Sequence, residues 1–398
     1  MVARVGDRAR RAVRQTHLSD VVIAGGGVAG LAVANALARR GIASVVLEQR
    51  RAPGEIDRGD VIQDSVLPLL RRWNLEERLA AYGPVQLEMF RILNDRGRVI
   101  FEVDLHADLR RAARLTLVTH PDLERLLEQA AMGTGLVGMR RGVRCLDLLV
   151  DRDRVVGVRT DGGDVRAALT VVASGAQTAL RDRHFPGRSV RDYAFSFYNA
   201  RVELLPEYAD AGYYILGRTG VMVMAPLPRG EMRIGIQFRR TADSQGVSAR
   251  NFAQVAARRL STFPVEKLRF LGGHVYHLSR SLGRTLAIPG AVLVGDAAHT
   301  VHPAGGQGMN LAFQDAELLA ELIAAANGRP ELVDDAGRRY SVERRRRVKR
   351  VLHQTHVMGL LGSFRSRGLI GAREVLLRMC NRSPWIKRHW VQRVIDVG

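Results

Sequence analysis

The sequence predicts a two-lobed α/β fold, in which a lobe of alternating strands and helices is interrupted by a mostly antiparallel β-sheet and followed by C-terminal helices. Three observations predict it. An apolar strand at residues 20–24 runs into a glycine turn and an apolar helix. The pattern then changes to long alternating runs at residues 193–277, and a short apolar strand at residues 291–295 returns to the character of the first part.

Length and composition are those of a globular protein with two or three domains. The chain has 398 residues, of which 46% are apolar and 25% charged. No apolar stretch approaches the roughly 18 residues of a membrane span, and the Arg-rich first residues lack the apolar part of a signal peptide, so a cytoplasmic location is expected. Cys145 and Cys380 stand alone, which predicts neither a disulfide framework nor a metal site.

Positive charge is concentrated near the C-terminus. The formal net charge is +21, and residues 338–398 hold 16 Lys and Arg against three acidic residues. Aromatic residues that could stack on bases are sparse there, so no nucleic-acid partner is expected. The basic segment is interpreted either as a solvated helix face or as a peripheral contact with an anionic bilayer.

The elements divide the chain into four parts. Strands are expected at residues 20–24, 45–48, 143–160 and 165–173, and helices at residues 28–40, 64–82 and 121–132. The predicted parts are a flexible extension at 1–18, a discontinuous first lobe at 19–185 and 278–340, an inserted substrate sheet at 186–277 and a basic helical region at 341–398.

The first glycine turn fits the pattern Gly-x-Gly-x-x-Gly between a strand and a helix. Gly25 permits the tight turn, Gly27 lets the backbone approach a pyrophosphate, and Gly30 lets helix and strand pack closely. The helix begins at Val28 and Ala29, where the positive end of its dipole faces the ligand. The motif therefore predicts a Rossmann-like site for a dinucleotide.

One such site is expected. Glu48, followed by Gln49, ends the second strand, where an acid accepts the ribose hydroxyl bonds of an adenosine. A second match at residues 133–138 follows a predicted helix instead of a strand, and we interpret it as a helix stop leading into a strand. A second Rossmann domain for NAD(P)H is therefore missing.

A second glycine-rich loop follows the strand that ends near Gly295. It reads Gly295-Asp-Ala-Ala-His-Thr-Val-His-Pro-Ala-Gly-Gly-Gln-Gly-Met-Asn310 and continues as an apolar helix. A carboxylate at a strand end suits the polyol of a flavin. The backbone donors of the following helix N-terminus suit the negative charge of its reduced ring.

With these motifs the chain resembles the flavoprotein aromatic hydroxylases, the group A FAD-dependent monooxygenases typified by para-hydroxybenzoate hydroxylase and the ubiquinone-pathway hydroxylases. The resemblance covers about residues 19–350. It implies a GR2-type FAD-binding lobe, FAD as cofactor, NADPH or NADH as reductant and O2 as co-substrate. It also implies a flavin C4a-hydroperoxide as oxidant, and a place in secondary metabolism.

The resemblance assigns roles to residues of the second loop. It implies that Asp296 binds the ribityl chain of FAD and that backbone amides beyond it meet the pyrimidine edge of the flavin. The loop residues that match the family pattern or adjoin it are Pro303, Gly305, Gly306, Gln307, Gly308, Met309 and Asn310.

Two further positions carry over from the family. Arg58 matches an Arg near the FAD pyrophosphate, and His120 stands where the family has Arg, Gln or Asn at the ribityl chain. A plain N-cap or turn role for His120 is an equal alternative.

A third family fingerprint, shared by the FAD pyrophosphate and NAD(P)H, reads Ser174, Gly175 and Arg181 here. Ser174 replaces the family Asp and lacks the charge that orders a neighbouring Arg. The resemblance therefore leaves the reductant and its binding efficiency open.

Catalysis is expected to be centred on the flavin. His302 and Pro303 are the candidate catalytic residues, since they lie in the second glycine-rich loop, residues 295–310, which is expected to meet the flavin and is called the flavin loop below. His299 is expected to be structural.

The substrate is expected to meet the inserted sheet. Some side chains there form either an apolar wall or ordinary core, namely Tyr213, Tyr214, Met222, Met224 and Phe238. They favour an apolar aromatic, quinone-like, indolic or polyunsaturated substrate, and hydroxylation is favoured over epoxidation.

Two alternatives remain at this stage. A flavin-dependent halogenase resembles a pattern with Trp-x-Trp and a channel Lys, whereas the Trp and Lys residues of this chain are Trp73, Trp385, Trp390, Lys267, Lys349 and Lys387. A flavoprotein that binds or sequesters a ligand without turnover is supported by Ser174. The sequence makes no prediction of oligomeric state.

Overall fold

A computed structural model describes residues 19–53, 61–109, 113–240, 246–327 and 329–395. The predicted N-terminal extension and Arg58 lie outside these residues. The strands are β1 Ser19–Ala24, β2 Ser44–Glu48, β3 Val61–Ile62, β4 Val85–Leu87, β5 Met89–Leu93, β6 Val99–Asp104, β7 Leu115–Leu117, β8 Val137–Arg141, β9 Cys145–Asp151, β10 Arg154–Thr160, β11 Gly163–Val172, β12 Arg188–Glu203, β13 Gly212–Gly217, β14 Gly220–Leu227, β15 Glu231–Arg239, β16 Phe270–Gly283, β17 Ala287–Ile288, β18 Ala291–Leu293 and β19 His299–Thr300. The helices are α1 Val28–Ala38, α2 Leu67–Arg72, α3 Glu76–Ala80, α4 Leu105–Leu109, α5 His120–Met132, α6 Ala179–His184, α7 Phe252–Arg259, α8 Gln307–Ala325, α9 Pro330–Gly362, α10 Arg367–Arg382 and α11 Pro384–Ile395.

The first lobe is built on a sheet of order β17-β18-β11-β1-β2-β8, in which β1 runs parallel to both β2 and β11. The unit β1-α1-β2 is the predicted βαβ opening. Helix α1 consists of small and apolar residues and is buried almost all round, because it packs against both α5 and α8. Strand β18 pairs in parallel with β11, so distant parts of the chain close this lobe.

The second match to the glycine pattern has the expected structure. Gly133 is the C-cap of α5, and the chain enters β8 at Val137. The segment is therefore a helix stop followed by a strand, as its position in the sequence predicts.

The second sheet has the order β19-β16-β12-β15-β14-β13-β5-β6. Its neighbours are antiparallel except for β13 and β5, which run in parallel. Strands β5 and β6 come from residues 89–104, so the sheet extends beyond the segment 186–277 expected from the sequence. Alternation predicts that a short run is a strand, but its partner depends on a contact far away in the chain.

Both faces of the second sheet are covered at β13, β14 and β15. On one face Tyr198, Ile234 and Met222 pack against Phe252 of α7 in an apolar core. The opposite face is turned toward the first lobe and the C-terminal helices, and it carries Phe197. Because these three strands are buried on both faces, alternation does not identify the face that meets a ligand.

The C-terminal region begins with one long helix. Helix α9 crosses the boundary expected at residues 340/341 and packs along α8, while α10 packs on β6 and α11 packs on α4. Arg344, from the basic run, is fully buried and forms an ion pair with Asp315 of α8 at 2.6 Å. None of the helices in the described ranges has the length and apolar character that a bilayer crossing needs.

Candidate active site

A continuous cavity of about 840 Å³ lies between the first lobe and the second sheet. Both glycine-rich loops bound it on one side, and the second sheet and the C-terminal helices bound it on the other. The predicted site residues that line it are Gly25, Gly27, Val28, Ala29, Glu48, Gln49, His120, Ser174, Gly175, Tyr213, Tyr214, Met224, Asp296, His302, Pro303, Gly305, Gly306, Gln307, Gly308 and Met309.

Five predicted residues lie behind this lining, namely Gly30, Arg181, Met222, Phe238 and Asn310. Met222 and Phe238 pack with the core on the opposite face of the second sheet. Tyr213 and Met224 also belong to that core, although their strand segments border the cavity. Of the five candidates on the sheet, Tyr214 faces the cavity without belonging to the opposite core.

The first glycine loop has the shape that a pyrophosphate requires. A Cβ at Gly25, where φ is +117°, would lie 2.5 Å from the carbonyl oxygen of Ala173. A Cβ at Gly30 would lie 1.9 Å from the carbonyl oxygen of Gly25. Gly27, which has no side chain, forms the N-cap of α1 and lines the cavity. The first amides of α1 are therefore accessible to an anion.

Glu48 is held in place beside this loop. Its Oε2 accepts a hydrogen bond from the Gly26 amide at 2.7 Å, and its Oε1 accepts from the amide and Nε of Arg50 at 2.8 and 3.0 Å. Arg50 also forms an ion pair with Glu124 at 3.0 Å. Burial raises the pKa of Glu124, but hydrogen bonds from His120 and Arg50 outweigh it, and the net pKa lies below its usual value.

His120 occupies the first turn of α5, and the N-cap is Thr119. The Thr119 hydroxyl accepts a hydrogen bond from the Asp122 amide at 3.4 Å, which is the capping role considered for His120. The imidazole Nε2 of His120 lies 3.4 Å from Glu124 Oε1, and the residue lines the cavity. The N-cap is therefore Thr119 and not His120, and a cofactor contact for His120 stays a prediction.

The second loop is supported by a buried ionic cluster. Asp315 Oδ2 accepts from the Gly295 amide and pairs with His299 Nε2, both at 2.8 Å, while Asp315 Oδ1 accepts from Arg344 Nε at 2.6 Å. Burial raises the pKa of Asp315, but the charges of His299 and Arg344 outweigh it and lower the pKa to about 2. The cluster holds the start of the loop, and Asp296 lies on its cavity side.

Arg181 supports the same loop from outside. It is buried, donates from Nη1 to the Ala297 carbonyl at 3.2 Å, and pairs with Asp182 at 2.9 Å. Ser174 donates to Thr178 Oγ1 at 2.6 Å and lines the cavity. In this chain the fingerprint Arg therefore holds the flavin loop, and the role of Ser174 toward a reductant stays a prediction.

The N-terminus of α8 is fixed by its contact with β3 and the residue after it. Gly306, at φ +62°, is the N-cap, and Asn310 donates to the carbonyls of Gly306 and Val61 at 2.8 and 2.9 Å. Gln63 donates from Nε2 to the Gly305 carbonyl at 2.8 Å and from its amide to Asn310 Oδ1 at 2.9 Å. These bonds fix the loop while the first amides of α8 keep no helical acceptor, which suits a negatively charged edge.

His302 is buried beside this loop. Its Nδ1 accepts from the Ala304 amide at 3.1 Å, and its ring packs on Gly359 of α9 and edge-on against Tyr193, with ring centroids 4.9 Å apart. Burial and the nearby His356 lower the pKa of His302 to about 4. At neutral pH His302 is therefore an uncharged residue that shapes the loop.

The cavity face of the second sheet is apolar with polar groups at its ends. Tyr214, beside Phe90, meets the flavin loop where its hydroxyl accepts from the Gly305 amide at 3.3 Å. Arg233 and Gln237 line the cavity four residues apart on β15. The sheet thus offers the cavity both apolar surface and polar side chains.

Arg373 of α10 is a lining residue that the sequence analysis missed. It is buried and donates to the carbonyls of Leu361 and Leu216 at 3.0 and 2.8 Å. Burial lowers its pKa. Its spacing in the sequence could have identified it. Arg373 shares one helix face with Ile370 and Leu377, and a charged residue on an apolar helix face indicates a role in the interior of the protein.

Comparisons with known proteins agree with this site. Residues 18–355 match the family described as "FAD binding domain". The chain is 27% identical to 3-demethoxyubiquinol 3-hydroxylase of Escherichia coli, over 84% of this chain and 85% of that protein. It is also 27% identical to 6-methylpretetramide 4-monooxygenase of Streptomyces rimosus, over 87% of this chain but 63% of that longer protein.

A solved structure shows the same fold. The p-nitrophenol 4-monooxygenase of Pseudomonas putida DLL-E4 superposes with a TM-score of 0.83 at 19% identity, covering 95% of this chain and 98% of that one. The two sequence relatives are named as a hydroxylase and a monooxygenase, so the halogenase alternative gains no support.

Proposed function

We propose that this chain, which belongs to the FAD-binding family of flavoprotein aromatic hydroxylases, hydroxylates a largely apolar small molecule with NAD(P)H and O2. The observation that carries the proposal is the continuous cavity, which joins a glycine-built dinucleotide cradle to an apolar chamber. The cofactor and the substrate can therefore lie next to each other in one cavity.

The residues present fit FAD. The amides that begin α1 and the Glu48 carboxylate would hold its pyrophosphate and ribose, Asp296 its ribityl chain, and the start of α8 its ring. Bound FAD supplies electron transfer from the reductant and activation of O2. The sterically closed positions at Gly25 and Gly30 and the fixed loop at Gly305 are the structural basis for this assignment.

The chain's own groups orient the substrate and exclude water. Phe90, Tyr214 and Val223 line the chamber with apolar surface beside the flavin loop. Uncharged His302 fixes that loop without adding a charge. No protein side chain is required as the oxidant, which agrees with a reaction centred on the cofactor.

The substrate class follows from the lining. The apolar part of the lining favours an aromatic or quinone-like ring system, while Arg233 and Gln237 favour oxygen acceptors on that molecule. The named substrates of the two hydroxylase relatives, a demethoxyubiquinol and a methylpretetramide, are of this kind. Hydroxylation remains favoured over epoxidation.

Anaerobic stopped-flow reduction of the FAD-reconstituted protein tests the proposal. NADPH or NADH should reduce the flavin, faster when a suitable quinone or polycyclic aromatic is present. Admission of 18O2 should then place one labelled oxygen in the product. Bound flavin that neither reductant reduces, with or without ligands, would favour the alternative of a flavoprotein that binds without turnover.

We expect the protein to be located in the cytoplasm and to contact a membrane surface peripherally. The basic C-terminal region supports this contact through its charge. The substrate class supports it as well, because molecules of low polarity collect in bilayers.

A further inference from the structure

Helix α10 presents apolar side chains to solvent. Ile370, Arg373 and Leu377 face the protein, whereas Val375 and Met379, with 57% and 63% of their surface exposed, lie on the outer side. Leu369 and Leu376 are also more than half exposed. A helix on the surface of a globular protein normally turns its apolar side inward, so an apolar outer face indicates a binding surface.

The apolar surface continues onto α11 and is bordered by positive charge. Trp385 is 75% exposed and stacks on His389, with ring centroids 5.7 Å apart. Arg367 and Arg382, the first and last residues of α10, are exposed, as is Arg365 just before the helix. Exposed apolar and Trp residues bordered by Arg are typical of helices that lie in the interface of a bilayer. We call the surface formed by Leu369, Val375, Leu376, Met379 and Trp385 the α10 face.

The α10 face adjoins the substrate cavity. Leu376 is 54% exposed and also lines the cavity, and its neighbours Arg373 and Leu377 line it too. A residue that is both solvent-exposed and cavity-lining marks an opening. Leu376 therefore places the α10 face beside an opening of the chamber.

We infer that the α10 face docks on an anionic lipid surface and receives the apolar substrate from it. This inference rests on the proposed function for the nature of the substrate, but the docking itself does not require turnover. Charge favours lipid over a second copy of the chain, because residues 338–398 hold 16 Lys and Arg against three acidic residues and two such regions would repel.

The structure also separates this face from the basic run at residues 343–350. In that run Arg344 is buried with Asp315, Arg345 donates to the Gly283 carbonyl, and Arg347 pairs with Glu343. Three of the six basic side chains of this run are therefore held by contacts within the protein. The docking surface is set by the exposed apolar side chains of α10, and the surrounding Arg residues add attraction.

Vesicle co-sedimentation of the FAD-loaded protein tests the inference. Vesicles of phosphatidylglycerol and phosphatidylcholine should bind the protein at least about tenfold more tightly than phosphatidylcholine alone. The double variant Val375→Glu/Met379→Glu should lose this binding by about tenfold or more. Neither residue lines the cavity, and both are exposed, so FAD content and the melting temperature should stay unchanged.

The matched control is Val150→Glu/Val342→Glu, which adds the same charge at two exposed apolar positions, one on β9 and one on α9 beside the basic run. It should retain most of the vesicle binding. An equal loss in both double variants would overturn the inference, because net charge alone would then explain it. Failure of both the unaltered protein and the control variant to bind anionic vesicles would also overturn the inference.

Sedimentation velocity without lipid tests whether a second copy of the chain, instead of lipid, binds to the α10 face. If the α10 face joined two copies, the unaltered protein would be a dimer and Val375→Glu/Met379→Glu would be a monomer, which would overturn lipid docking. A protein that reduces its flavin and hydroxylates a ligand yet ignores vesicles would refute this inference alone. A protein that binds vesicles through α10 but shows no turnover would refute the proposed function alone.

Discussion

The flavin loop and the substrate face of the second sheet border the same cavity but are held by different forces. The loop is fixed by directional polar contacts centred on Asp315, and the substrate face is shaped by apolar packing around Tyr214 and Val223. Polar contacts fix position within a few tenths of an ångström, whereas apolar walls accept related shapes. A constant cofactor and a variable substrate call for this division.

The largest expected effect is on the polar side. Asp315→Ala leaves Arg344 and His299 buried without their shared anion, which should lower the free energy of unfolding by about 3–5 kcal/mol and weaken FAD binding. Urea unfolding and flavin titration measure both. Asp335→Ala, which removes an exposed carboxylate paired with Arg338, should change stability by less than about 0.5 kcal/mol. Unchanged FAD affinity in Asp315→Ala would contradict the role of the cluster.

A neighbouring pair on β14 tests the two faces of the sheet. Met222→Ala empties the closed core and should cost about 2–5 kcal/mol of stability with little change in substrate KM. Val223→Ala enlarges the cavity wall, should cost less than about 1.5 kcal/mol, and should change KM or substrate preference. A reversed order of the two stability losses would show that the faces are assigned wrongly.

Lowering the pH should reduce the stability contributed by His302 and Asp315, in two steps. The folded pKa of His302, about 4, lies below its ordinary 6.5, so the unfolded state binds the extra proton between these values. Stability should therefore fall by about 3 kcal/mol as the pH drops from about 6.5 to 4. Asp315, with a folded pKa of about 2, loses its contribution below about pH 4.

The variant His302→Asn isolates the first step, since the amide oxygen can still accept from Ala304. Unfolding free energies at pH 7 and pH 4.5 should differ less in this variant than in the unaltered protein. An identical difference would mean that His302 titrates normally in the folded state.

The smallest expected effect lies where the two regions touch. Tyr214→Phe removes the acceptor of the Gly305 amide and should weaken FAD binding by about 1 kcal/mol, or roughly fivefold. Tyr198→Phe makes the same change on the opposite face and should leave FAD affinity unaltered. Equal FAD affinities in the two variants would show that the Tyr214 hydroxyl does not support the flavin loop.

Local motifs predicted which loops of the first lobe border the cavity. Gly25, Gly27 and Glu48 line the cavity as expected, because a glycine turn between strand and helix is encoded within a few residues. Arg181 and Asn310 belong to matching motifs but support the loops from behind. A motif gives the position of the backbone, while the direction of each side chain depends on its neighbours.

The sequence by itself determined the βαβ opening, the return of the chain at β18 and the nature of the second glycine loop, since short-range steric and hydrogen-bonding rules govern them. Only the tertiary structure decided that β5 and β6 join the substrate sheet, that Met222 faces away from the cavity and that Arg373 lines it. The physical reason is that burial depends on residues distant in sequence, and a strand or helix covered on both sides carries no local mark of which side meets the ligand.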